Sequence, residues 1–267
     1  HLIELLSAHA IDANALRALL ALFTRGGTVL LLQALSHAVE LSKAAGALGA
    51  PPSFFAFDGV GSQLTAALSG PCFGPSAFSV WLWLRHEQAE GGSSSGGTDA
   101  DGAAAEPEVV YAFTGNDGHG VEVSVRHRND ARGAVGGLLT VRVISARGGS
   151  TSAQLERGAR LRPRCWHWIV IEHIAPERRW SLAALTSAPP APSVRIYVDG
   201  RLALDAALEF PAPTSALRHA AIGAPAALAA AAATSDGRRL RGQLGELLLL
   251  PAATGAARVS EVAALLR

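Results

Sequence analysis

The sequence predicts a mainly β protein: a jelly-roll sandwich of two antiparallel sheets, with a helical hairpin before it and a short helix after it. Many short strand-like stretches recur at fairly regular spacing with no helices between them, which is typical of sandwiches. The run Val194–Leu204 alternates in polarity and reverses at Asp199-Gly200, a pair that favours a type I′ turn. The run Phe78–Arg85 is apolar on both faces, as expected of a central strand covered on each side.

Residues 1–50 are predicted to be helical. Apolar residues at helical spacing form two stripes, separated by Gly26-Gly27: Leu16, Leu19, Leu20 and Phe23, then Leu32, Leu35 and Val39. Two interpretations stay open, the last unit of an upstream helical array or a helical lid on the following domain. Pro51-Pro52 ends the helical pattern and places the domain boundary there, with the sandwich at 51–267.

The strands of the sandwich are predicted, in chain order, at 53–59, 78–85, 109–114, 121–128, 138–145, 166–174, 194–204 (as a hairpin), 220–223 and 242–250. A closing helix is expected with Ser260 as its N-cap and with Val262, Leu265 and Leu266 as its apolar stripe. Stretches near 89–108 and 224–238 have little to bury, so they are expected to be mobile insertions.

Composition excludes several classes of function. A net charge of +1 gives no electrostatic basis for binding nucleic acid, and no apolar run approaches the roughly 20 residues of a transmembrane span. The chain has no Met and begins at His1, so it is expected to be a segment of a longer polypeptide. Cys72 and Cys165 form no CxxC pair, which argues against zinc. A chain of this size does not need a disulfide, so free thiols in a reducing compartment are favoured, although one disulfide stays open.

Five stretches together resemble the concanavalin A-like (laminin G-like) sandwich of the BEACH-domain scaffold proteins, the neurobeachin-like family. They are FFAFDGVGSQL (54–64), FSVWLWLR (78–85), CWHWIVIEHI (165–174), VRIYVDGRL (194–202) and RGQLGELLLLPAA (241–253). The structural signature within them is Trp166, His167, Asp199 and Gly200. The resemblance covers roughly residues 50 to 267.

The resemblance implies a function and a setting. In that family the sandwich lies among armadillo-like helices, which would make residues 1–50 the end of such an array. It implies a non-catalytic interaction module in membrane trafficking or autophagy, binding proteins or flanking domains of its own chain. The implied location is cytoplasmic, with peripheral association with endomembranes through the parent protein, and no cofactor is implied.

No catalytic apparatus is expected. Glycan hydrolysis needs two carboxylates that flank the bond, and sandwich glucanases typically place them on one strand as Glu-x-Asp-x-x-Glu. No such run occurs, because Glu122, Glu172 and Glu246 lie singly in different predicted strands. The chain is therefore predicted not to be an enzyme.

The alternative function is a calcium-dependent carbohydrate-binding module. Its candidate loop holds Asn116, Asp117 and His119, yet Asn-Asp-Gly is also ordinary turn chemistry between two strands, and a turn is favoured because hard cations need several oxygen ligands. Arg126 and Arg128, with His127 and Arg132, form a small basic cluster. It has two interpretations, a contact for a phosphoinositide or an acidic partner, and a solvated hairpin, which is favoured. No metal site is predicted.

Two histidines and three tryptophans can each be interpreted as structural residues or as ligand-binding residues. His167 and His173 share a face of their strand, where a third metal ligand is not evident, so His167 is expected to bond to backbone. Trp166 is expected in the core. Trp81 and Trp83 share a face and are assigned to the core rather than to a sugar-stacking platform.

Overall fold

The computed structural model describes most of the predicted sandwich: residues 49–68, 73–87, 107–116, 118–129, 135–145, 149–155, 160–175, 191–211, 217–226 and 238–266. The predicted helices in residues 1–48, most of both predicted insertions, Cys72, Asp117 and Arg132 lie outside the described residues.

Twelve strands and one helix are present in the described residues. The strands are β1 (Phe55–Asp58), β2 (Leu64–Ala67), β3 (Ala77–His86), β4 (Glu108–Gly115), β5 (Gly120–Asn129), β6 (Val135–Ile144), β7 (Ser150–Gln154), β8 (His167–Ile174), β9 (Ser193–Val198), β10 (Arg201–Ala207), β11 (Leu217–Ile222) and β12 (Arg241–Leu250). Helix α1 spans Ala256–Leu265.

The strands form two six-stranded sheets, and every pairing within them is antiparallel. Sheet A has the order β1-β12-β3-β8-β9-β10, and sheet B has the order β2-β11-β4-β5-β6-β7. This confirms the predicted mainly β sandwich of two antiparallel sheets. Strands β2 and β7 were not predicted, since LTAA and STSAQ are short, mostly exposed edge strands without apolar alternation.

The main core lies between the sheets. It receives the inward side chains of both sheets, among them Phe78, Val80, Leu82 and Leu84 from β3 and Val121, Val123 and Val125 from β5. Alternate side chains of β3 point the other way, which explains why its sequence is apolar on both faces.

A second, smaller core lies on the outer face of sheet A. There Trp83, Trp168, Val170 and Tyr197 are buried together with Val259 and Ala263 of α1. The helix therefore packs on the outer side of β3, β8 and β9, which confirms β3 as a central strand covered on both faces.

The closing helix differs from its prediction in two respects. It begins at Ala256 with Gly255 as N-cap, so the prediction of Ser260 as N-cap was wrong. The fully buried positions are Val259 and Ala263. Of the predicted stripe, Val262 and Leu266 are partly buried against the same core, whereas Leu265 is 83% exposed. The helix starts early because a buried carboxylate on β8 binds the backbone just before it, a contact that no local pattern could indicate.

The predicted hairpin turn is confirmed. Asp199 and Gly200 adopt φ values of 52° and 81°, the positive pair that a type I′ turn requires. Strands β9 and β10 pair on either side of this turn, with an irregularity between Leu202 and Leu204.

Candidate functional site

The hairpin turn is bonded to the start of β8 through His167 and Asp199. His167 Nδ1 lies 2.9 Å from Asp199 Oδ2, and the other carboxylate oxygen accepts the Trp168 N–H at 3.0 Å. His167 Nε2 accepts the backbone N–H of Arg162 at 2.9 Å. Since Nε2 accepts, the ring proton lies on Nδ1 and is donated to Asp199.

This Asp–His pair has a structural role. A general base needs a free nitrogen within reach of a substrate proton, and the backbone of Arg162 already occupies Nε2. The expectation that His167 bonds to backbone is therefore confirmed. The pair joins three parts of the chain: the turn before β8, β8 itself and the β9–β10 hairpin.

The other two signature residues, Gly200 and Trp166, lie on the outer side of sheet A, where α1 packs. Gly200 approaches α1 so closely that a Cβ added to it would lie 2.3 Å from the Cβ of Ala263. Trp166 is half-buried at the edge of the outer core rather than within it, and its ring lies 5.5 Å from that of Phe54. The buried indole is that of Trp168, two residues on, because α1 covers that position.

Glu172 is a fully buried carboxylate that the sequence analysis did not identify as important. Its Oε1 accepts the N–H groups of Thr254 and Gly255 at 2.7 and 2.6 Å, just before α1. The Tyr197 hydroxyl donates to Oε2 at 3.3 Å, and burial, followed by the Glu172 charge, raises the Tyr197 pKa. In the sequence, the sign of this structural role was a single acidic residue inside the mostly apolar run WHWIVIEHI.

The outer aromatic residues of β3 belong to this layer. Trp83 is 6% exposed, and Trp81 packs edge-on against Trp168 while its indole N–H donates to the Thr254 hydroxyl at 3.1 Å. Their assignment to a core is confirmed for Trp83, and Trp81 is half-buried at its edge.

Two histidines and an acid meet between the sheets at one end of the sandwich. The rings of His86 on β3 and His127 on β5 are 5.0 Å apart, and His127 Nε2 lies 3.6 Å from Glu108 Oε1. His86 donates its Nε2 proton to the Leu161 carbonyl at 3.2 Å. Burial, and secondarily the nearby His127, lowers the His86 pKa to about 3.

His173 lies on β8, at the opposite end of the strand from His167. Its ring stacks on Phe78 at 4.5 Å, and burial lowers its pKa to about 3. His167 and His173 do share the inner face of β8, as predicted, but six residues of strand separate them by roughly 20 Å. Within the described parts of the chain, no group of three or more His, Cys, Asp or Glu side chains is placed to hold a metal ion.

The Asn116 loop forms the turn between β4 and β5. The Gly118 N–H donates to the Gly115 carbonyl at 3.1 Å, and the Asn116 side-chain oxygen lies 3.1 Å from His219 Nε2. His119 is only 4% exposed. These contacts are those of a turn, and Asp117 lies outside the described residues.

The remaining candidate residues are dispersed. Arg126 is half-buried on β5, and the side chain of Arg128 lies outside the described residues. Glu122 lies on sheet B, where its Oε1 pairs with Arg238 and approaches Arg142 at 4.0 Å, whereas Glu172 lies on sheet A. Cys165 is a half-buried free thiol.

Two exposed apolar patches remain on the outer side of sheet A. The helix-end patch is defined as Leu202 on β10 (53% exposed) and Leu265 at the end of α1 (83% exposed), each two residues after one partner of the Gly200–Ala263 contact. The β12 row consists of Phe54 (50% exposed) and Leu248 (49% exposed).

Comparison with known proteins supports the fold alone. No family model matches the chain, and no curated protein matches it. A point mutant of HCR/D matches with a TM-score of 0.50 at 8% identity, over 79% of this chain and 41% of that chain. A heptameric SAP-like pentraxin from Limulus polyphemus matches with a TM-score of 0.47 at 12% identity, over 78% and 80% of the two chains.

Domains LG4-5 of the mouse laminin alpha1 chain match with a TM-score of 0.45 at 13% identity, over 75% of this chain and 43% of that chain. The chain spans less than half of the length of the HCR/D and laminin chains. The fold is a jelly-roll-like sandwich of two six-stranded antiparallel sheets, while membership of the concanavalin A-like class and of the BEACH family stays a prediction. No helix among the described residues has the length and hydropathy needed to cross a bilayer.

Proposed function

We propose that this chain is a non-catalytic interaction module of a large BEACH-type scaffold protein that acts in membrane trafficking or autophagy. It binds proteins or flanking domains of its own chain in the cytoplasm, and the parent protein associates peripherally with endomembranes. The sandwich fold supports a binding module in general, and the finer assignment rests on the five resembling stretches of sequence.

The helix-end patch is the observation that carries the proposal. Leu202 and Leu265 are exposed on β10 and α1, two elements that meet at the close contact of Gly200 with Ala263, so a rigid support holds them. Apolar anchors on a rigid support bind a partner at low entropic cost. The most buried carboxylates support a non-catalytic role, since Glu172 fastens α1 and Glu122 pairs with arginines.

The test is a pull-down from cytosol with the whole chain and with the double variant Leu202→Ser/Leu265→Ser. Trafficking proteins captured by the unchanged chain should be lost with the variant. Val60→Ser is the matched control, because Val60 is also exposed (69%) but lies in the β1–β2 loop. Equal capture by all three proteins, or a flanking gene sequence without a BEACH domain, would count against the proposal.

The calcium-dependent lectin alternative gains no support from the Asn116 loop. Among the described residues of the loop, the Asn116 oxygen faces His219, and the Gly115 and Gly118 N–H groups bond to backbone carbonyls of the same turn. A glycan array with and without chelator separates the two functions, because only the lectin would show binding that chelator removes.

A further inference from the structure

The cluster of His86, His127 and Glu108 joins the two sheets at one end of the sandwich. His86 belongs to β3 of sheet A, whereas His127 and Glu108 belong to β5 and β4 of sheet B. Glu108 also reaches across, because its Oε2 accepts the backbone N–H of Arg241 on β12 at 3.0 Å. A change of protonation in this cluster therefore acts on contacts between the sheets.

Three ring nitrogens of the cluster are buried without a hydrogen-bond partner in the described part of the chain: His86 Nδ1, His127 Nδ1 and His127 Nε2. Because His86 donates its Nε2 proton to the Leu161 carbonyl, its Nδ1 is an acceptor. Glu108 Oε1, which lies 3.6 Å from His127 Nε2, is an acceptor too. Neutral imidazole carries only one N–H, so His127 can serve only one of these two acceptors. The cluster is short of one proton.

The packing around the rings allows His127 to reach both acceptors. The ring centres of His86 and His127 are 5.0 Å apart at a tilt of 46°. Gly137 of β6 lies opposite His127, and a Cβ added to it would lie 2.8 Å from His86 Nε2, so the close approach of β6 keeps the two rings together. The His127 side chain is 12% exposed, which lets a proton enter from solvent.

The charged groups around the cluster favour one added proton and not two. Burial, then His127 and then His167 on β8, lower the pKa of His86 to about 3, so His86 stays neutral in mild acid. Arg160, before β8, lies with its side-chain carbons against β6 and brings a positive charge to the same end of the sandwich. Glu108 is the acid that faces His127.

Neighbouring charged side chains point away or pair elsewhere. Arg126 alternates onto the opposite face of β5. Glu87 pairs with two arginines, Arg85 and Arg164. The Nη1 of Arg239 donates to a glutamine of the β1–β2 loop at 3.1 Å. These groups leave the carboxylate described above as the partner of the ring.

We propose that this cluster is a proton-operated latch between the two sheets. One proton taken from solvent makes both nitrogens of His127 donors, so Nε2 donates to Glu108 Oε1 and Nδ1 donates to His86 Nδ1. A hydrogen-bonded chain then runs from Glu108 through both rings to the Leu161 carbonyl. Imidazole is the side chain that ordinarily titrates between pH 5 and 8, so the latch closes in mild acid.

The latch also fixes the segment 160–162. Leu161 and Gly137 exchange two backbone hydrogen bonds of 2.8 and 2.9 Å, and the next N–H, that of Arg162, donates to His167. Closing the latch therefore tightens the segment that supports the His167–Asp199 pair. This device lies inside the sandwich, so it goes beyond the proposed function and does not rest on it.

Ring ¹⁵N chemical shifts of the whole chain test the latch, since they report the proton on each nitrogen. Between pH 7.5 and 5, His127 should become doubly protonated, whereas His86 should keep one proton on Nε2. Glu108→Gln keeps an oxygen for the Arg241 N–H but removes the charge, so the transition of His127 should move down by about one pH unit. Glu246→Gln removes an exposed acid of β12 and is the matched control, in which the transition should not move.

Amide hydrogen exchange, corrected for the intrinsic effect of pH, gives the second readout. The Leu161 and Gly137 amides should exchange up to about tenfold more slowly at pH 5.5 than at pH 7.5, the factor that corresponds to one pH unit. Glu108→Gln should remove this difference. A first proton on His86, a His127 ring still singly protonated at pH 5, or equal transitions in the parent chain and Glu108→Gln would each overturn the proposal. The first two outcomes need only the parent chain, so they decide even if the variant fails to fold.

Discussion

His167 Nδ1 and Asp199 Oδ2 lie 2.9 Å apart although 32 residues separate them along the chain. The same carboxylate binds the Trp168 N–H, so one side chain fixes both the register of β8 and the hairpin turn that follows β9. The Trp-His and Asp-Gly motifs of the sequence are therefore two halves of one contact.

Substitutions at Asp199 should separate its two roles. Asn tolerates positive φ and can still accept the Trp168 N–H, so Asp199→Asn should lower the free energy of unfolding by about 1–2 kcal/mol. Asp199→Ala loses both acceptors and the favourable turn residue, so it should cost roughly 2–4 kcal/mol. Urea unfolding measures both values, and an Ala variant as stable as the Asn variant would contradict the assignment.

Gly200 is predicted to be required by space as well as by backbone conformation. Gly200→Ala should lower stability by about 1–2 kcal/mol for its φ of 81°. Its clash with Ala263 should add about 1–3 kcal/mol. Gly118→Ala is the control, because Gly118 has a φ of 79° with no atom within 4 Å of the added Cβ, so it should show the conformational cost alone.

A compensating change tests the steric part at Gly200 directly. Ala263→Gly removes the methyl group that the new Cβ would meet, so the double variant should recover part of the loss measured by urea unfolding of Gly200→Ala. If the two substitutions simply add, the contact between the turn and α1 is not the cause.

Glu172 is predicted to hold the start of α1 on sheet A. Glu172→Gln keeps an oxygen for the Thr254 and Gly255 N–H groups and should cost about 1 kcal/mol. Glu172→Ala leaves both donors without a partner and should cost about 2–4 kcal/mol. Amide hydrogen exchange over 256–265 should accelerate most in the Ala variant. Tyr197→Phe, which removes only the long 3.3 Å bond, should leave this exchange almost unchanged.

Local chemistry made much of the fold predictable, and tertiary contacts decided the rest. Asp199-Gly200 specifies its turn by itself, and a strand apolar on both faces indicates two layers of cover. The start of α1 was not predictable because it depends on Glu172, which is distant in sequence. The burial of Trp168 rather than Trp166 likewise depends on where α1 lies, since both positions alternate onto the same face.

Acidification should destabilise the sandwich through its buried histidines. Burial lowers the pKa of His86 and of His173 from 6.5 to about 3, so between these values the unfolded chain binds protons that the folded chain does not. The free energy of unfolding should therefore fall as the pH falls below 6.5, by up to about 1.4 kcal/mol per pH unit for each histidine. His173→Leu removes the ionisable group and places an apolar side chain beside Phe78. It should flatten the pH dependence of the free energy of unfolding in urea titrations between pH 4 and 7. An equal slope in His173→Leu and the parent chain would show that His173 is not a source of the acid sensitivity.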